Sequence, residues 1–107
     1  MLQIVSNNAG HLNSNTVESC VAATPAPESG DATIVCCQET RLPENPRADG
    51  YEVTAQPRYS KNGGGIATLV PTELTVTSQA GASHVQHTTV KVTHHTSLHI
   101  LNVYIPP

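Results

Sequence analysis

The chain has 107 residues, 37% of them apolar, three aromatic residues that are all tyrosine, and a formal net charge of −3. That is the size of one small domain whose core must come from Val, Ile, Leu and Ala. The charge balance excludes a protein that grips nucleic acid through bulk positive charge, and the apolar runs are too short for a membrane-spanning helix.

Leu2–Ser6 reads as a short strand, followed by a loop over Asn7–His11 rich in residues that tolerate unusual backbone angles. Asn13–Ala23 is a helix candidate, with Asn15 as N-cap and Glu18 three residues on as its capping-box partner; Pro25, Pro27 and Gly30 end it. Thr33–Cys37 is an apolar, β-branched run and reads as a buried strand. A strand, helix and strand in this order predict a right-handed unit with parallel strands.

Pro43–Asp49 forms a loop closed by Gly50, and Tyr51–Ala55 alternates as a half-buried strand does. Arg58–Gly65 is a loop with three consecutive glycines, and Ile66–Val70 is an apolar strand stopped by Pro71. Leu74–Ser78 is a short threonine-rich strand. Val85–Thr93 and Leu98–Ile105 are β-rich runs on either side of His94–Ser97, a hairpin pattern. One helix and about seven strands predict an α/β fold with mixed sheets and few helices, residues 1–107 forming a single domain.

Three cysteines, Cys20, Cys36 and Cys37, make a poor disulfide framework. Neighbours in a strand point to opposite faces, so Cys36 and Cys37 cannot share one zinc and are read as buried thiols. The six histidines are read as solvated, with His11 the one nearest the proposed cleft. No charged segment followed by an apolar stretch opens the chain, so an intracellular, non-secreted protein is expected.

Glu39 directly follows the apolar run of Thr33–Cys37, at the strand end where α/β sheets bind ligands. Asn8 holds the equivalent place after the first strand, and Tyr104 lies near the end of the last. Asn, Glu and Tyr are hard oxygen donors suited to Mg²⁺ and phosphate. On position alone, a solvated loop carboxylate is the commoner reading of Glu39. Arg58, Lys61, Asn62 and Gly63 offer cationic and amide donors for phosphate, or simply a mobile hairpin loop.

Four segments, in order, carry a family resemblance: Ile4–Gly10 (IVSNNAG), Ile34–Thr40 (IVCCQET), Asn62–Val70 (NGGGIATLV) and Leu101–Pro107 (LNVYIPP). Together they resemble the N-terminal half of the endonuclease/exonuclease/phosphatase superfamily, most closely the AP-endonuclease-like branch of non-LTR retrotransposons. The resemblance implies half of a DNase I-like, four-layer α/β sandwich and a Mg²⁺-dependent nuclease, with Mn²⁺ as a substitute. It assigns Glu39 as metal ligand, Asn8 as the residue that orders the metal site and Tyr104 as the hydrogen-bond donor to the scissile phosphate. It implies DNA as the partner of the full domain, nuclear if retrotransposon-derived, and an uncovered sheet face through which half a domain would self-associate.

The chain departs from the pattern at Asn7, where the family has Trp, at Gly10, where it has Asp or Asn, and at His11, where it has Gly. The family's later Asp-x-Asn motif and terminal Asp-His pair are absent from these residues. The expectation is therefore a fragment of a phosphodiester-cleaving endonuclease that is inactive alone. The alternatives are a decayed, non-catalytic remnant or interaction module, and a phosphatase or ribonuclease of the same superfamily.

Overall fold

The computed structural model describes residues 2–8, 32–40, 47–56, 64–80, 86–94 and 96–104. Seven strands lie in them: β1 (Leu2–Asn8), β2 (Ala32–Gln38), β3 (Tyr51–Gln56), β4 (Ile66–Pro71), β5 (Thr75–Ala80), β6 (Gln86–His94) and β7 (Thr96–Tyr104). They form a four-stranded sheet in the order β1-β2-β4-β3 and a three-stranded sheet in the order β5-β6-β7. β1 and β2 run parallel with Asn8 opposite Gln38, while β4 is antiparallel to both β2 and β3. The second sheet is an antiparallel meander.

The α/β class expected from the sequence is overturned: the described residues are all-β, with no helix among them. The four-layer α/β sandwich and the half DNase I-like fold fall with it. The helix expected over Asn13–Ala23 lies outside the described residues. The physical reason for the correction is the covering layer. Ile34, Cys36 and Val70 of the first sheet pack against Val90, Val92 and Ile100 of the second, as in any two-sheet sandwich, and no helix among the described residues supplies the outer layer that an α/β class requires.

Burial follows the residue pattern. β2 and β4 are mostly apolar and are buried along their length up to Gln38, which is partly exposed at the end of β2. Val35, Cys37, Ala67 and Leu69 fill the face turned away from the second sheet, with Tyr51, Val53 and Ala55 of β3 against them. β6 alternates instead: Thr88, Val90 and Val92 face inward, while Thr89, Lys91 and Thr93 are exposed. The β6–β7 pairing continues to His94 opposite Thr96, a tighter connection than the four-residue turn expected over His94–Ser97.

Ile4 and Ile34 sit opposite each other in the parallel pair, but Ile34 is fully buried and Ile4 is 53% exposed on the outermost strand of its sheet. Truncating Ile34 to Ala is expected to cost about 2–5 kcal/mol, through lost burial plus a cavity that rigid neighbours cannot collapse. Ile4→Ala should cost well under half as much, read from paired urea-unfolding curves.

Candidate functional site

The parallel register of β1 and β2 brings Asn8 and Glu39 to one end of the first sheet: Asn8 pairs with Gln38, and Glu39 is the next residue. Gln56 of β3 and Ile66 of β4 reach the same end, whereas Tyr51 and Pro71 mark the opposite one. Asp49, Glu52 and Glu73 belong to that opposite end, which leaves Glu39 as the carboxylate at the Asn8 end among the described residues. β7 approaches from the second sheet. Its Asn102 bonds to Gln38, so Tyr104, two residues on, continues toward the same end. Arg58, Lys61, Asn62 and Gly63 lie outside the described residues.

Glu39 is partly buried and is the one non-glycine residue with positive φ among those described, at 55°. A side chain bearing a Cβ is uncommon there, and such strain persists only where neighbours over-determine it. The neighbours are identifiable. Thr40 is buried and its amide donates to the Gly65 carbonyl at 3.1 Å. Gly64 and Gly65, with φ of 94° and 92°, turn the chain into β4 beside it. The glycines expected as a phosphate loop thus have a local use: they let β4 start against the end of β2.

A hydrogen-bonded chain crosses the sandwich at this end. Ser6 Oγ donates to Gln38 Oε1 at 3.2 Å, and Gln38 Nε2 donates to Asn102 Oδ1 at 2.7 Å. Asn102 Nδ2 donates to the Ala67 carbonyl at 2.9 Å and to Thr68 Oγ1 at 3.2 Å, with the Cys37 carbonyl at 3.4 Å. The Thr68 and Thr88 hydroxyls share a bond of 2.7 Å. Sequence reasoning missed Asn102, although a signal existed: it has the same strand parity as Ile100, so in a half-buried strand it belongs to the inward face.

Between β1 and β7 runs a groove of about 390 Å³, lined by Ile4, Ser6, Gln38, Ile100 and Asn102 together with Cys36, Leu101 and Val103. Among the described residues its lining carries no charged side chain. Burial pushes the Cys36 thiol above its ordinary value, and a hydrogen bond with Thr68 offsets part of that rise. Of the histidines described, His87 lends its backbone amide to Gln56 Oε1, and His99 pairs with Lys91 on β6. His11, His84 and His95 lie outside the described residues.

Among the described residues no three His, Cys, Asp or Glu side chains converge as a metal cage. Among the described residues Glu39 is the one carboxylate at the Asn8 end; Mg²⁺ takes one or two carboxylates and keeps its waters, whereas zinc needs a fuller ligand set. No protein-family model matches the chain, and no curated protein matches it.

Two outcomes are expected. Glu39→Gly should be more stable than Glu39→Ala by about 1 kcal/mol, because both lose the carboxylate and only glycine accepts φ of 55° without steric cost; equal melting temperatures would contradict the strain. Cys36 should resist alkylation at pH 8 in the native protein and react once unfolded, as peptide mapping would show. A raised folded value also means that the thiol favours the fold below its unfolded titration. That contribution declines as pH rises from the ordinary value of 9.0 through the raised one.

Proposed function

We propose that the chain is the metal-binding part of a Mg²⁺-dependent, phosphodiester-cleaving endonuclease of the retrotransposon kind, inactive on its own. The observation that carries this reading is Glu39, held in a left-handed conformation at the end shared with Asn8. Strain of this sort concentrates at functional sites. In this reading Glu39 binds the cation, Asn8 orders the site and Tyr104 donates to the phosphate. Arg58, Lys61, Asn62 and Gly63 contact the substrate backbone from the loop whose last residue, Gly65, is bonded to Thr40.

Bound Mg²⁺ would stabilise charge developing on the phosphate oxygens. The chain's own residues supply the rest only in part. Tyr104 offers one donor, but no residue is assigned as the base that takes a proton from the attacking water. Loss of a general base typically costs about 10²–10⁴ in rate. The net charge of −3 also gives the chain little affinity of its own for DNA, so binding would depend on the metal and on further positive surface.

A second reading, a non-catalytic interaction module, is favoured by the exposed Ile4, Leu98, Leu101 and Val103 on β1 and β7. Self-association in that reading runs through these two strands rather than through the buried faces of β2 and β4.

Magnesium titration followed by NMR tests the choice. The amides of residues 8 and 38–40 should move first, with a midpoint of about 1 mM or weaker because one carboxylate is a poor cage. Glu39→Ala should abolish the shifts. Plasmid incubated with Mg²⁺ should be nicked no faster by the chain than by its Glu39→Ala variant. Shifts confined to His87 and His99, or none, would remove the metal reading; nicking lost only in the variant would remove the statement that the chain is inactive alone.

A further inference from the structure

Asn102 is 3% exposed, and a carboxamide carries two N–H groups and a carbonyl that are costly to bury unfilled. Every one of its partners in the first sheet lies at the end of β2 or beside it on β4. Gln38 immediately precedes Glu39; Cys37 precedes Gln38; Ala67 is paired with Cys37 in the β2–β4 register, and Thr68 follows it. A sandwich does not need such a group to cohere. Further from this end, the same interface is filled by Ile34, Val90, Val92 and Ile100, which pack without hydrogen bonds.

We propose that Asn102 is a positioning residue for Glu39. Its carboxamide accepts from Gln38 and donates to the Ala67 carbonyl, locking the last residues of β2 to β4 from the side. With Gln38 fixed before it and Thr40 tied to Gly65 after it, Glu39 is left only the left-handed conformation to join the two. Gln38 passes the same constraint to β1 by accepting from Ser6 Oγ, which ties the strand that ends in Asn8. What Glu39 binds rests on the function proposed above; that Asn102 fixes it does not.

The test uses the full chain and two variants that remove the bonds without burying a charge. Asn102→Leu deletes the carboxamide, and Gln38→Met deletes its 2.7 Å arm together with the bond from Ser6 Oγ. Thr88→Val, which removes the Thr68–Thr88 bond in the same interface, is the control. Amide hydrogen exchange is read at Thr40 and at Val90 and Val92 of β6. In Asn102→Leu and Gln38→Met, Thr40 protection should fall at least tenfold more than that of β6, whereas Thr88→Val should lower both in the same ratio. Magnesium affinity measured on the same samples should weaken tenfold or more in the first two and stay unchanged in the control. Equal losses at Thr40 and β6 in all three would make Asn102 ordinary core and overturn the proposal. Should Asn102→Leu not fold, Gln38→Met alone decides. If the unaltered chain binds no magnesium, the metal reading fails while the exchange ratio still decides the positioning role.

Discussion

The contact that fixes the alignment of the two sheets is the carboxamide of Asn102 placed over the ends of β2 and β4. Apolar burial between the sheets supplies most of the cohesion, but it is proportional to area and indifferent to direction. Ile34, Val90, Val92 and Ile100 would remain buried after a small slide of one sheet over the other. The amide would not remain satisfied, because its donors and acceptor have partners in one alignment only. Polar satisfaction is complete here: among the described residues no buried side-chain nitrogen or oxygen lacks a partner. The registration of the two sheets is therefore set at the Glu39 end.

The individual strands were largely legible in the sequence. Thr33–Cys37 and Ile66–Val70 are continuous apolar runs and became the doubly buried β2 and β4, extended by a residue or two. The alternation in Val85–Thr93 is visible because Val90 and Val92 share one parity while Lys91 and Thr93 share the other. The fold class was not legible, because it depends on what covers a sheet face. Ile34 and Cys36 pack equally well on a helix or on another sheet, and no local feature of β2 distinguishes the two.

The place of Glu39 beside Asn8 was legible in the sequence, and what holds its backbone was not. Glu39 stands out as a carboxylate after an apolar run, and the parallel pairing puts it beside Asn8 as the order of elements implied. Its left-handed backbone was not readable, since nothing in Gln38-Glu39-Thr40 calls for φ of 55°. That angle arises from the bond between Thr40 and Gly65 and from Asn102 on the last described strand, both far from Glu39 along the chain. Contacts so distant in sequence are selected by the whole packing arrangement, and local pattern carries no record of them.

The chemistry of the support explains why it is built from amides and hydroxyls. A lysine or arginine in place of Asn102 could also bind the carbonyls at the end of β2, but its charge would attract the Glu39 carboxylate and compete with any cation brought there. Among the described residues the cationic side chains are Arg47, before the turn into β3 at the opposite end, and Lys91, on the exposed face of β6. Ser6, Gln38 and Asn102 carry no titratable group. They fix the backbone at Glu39 without adding a fixed charge beside it. Preorganisation of this kind lowers the entropy that a bound cation would otherwise have to overcome.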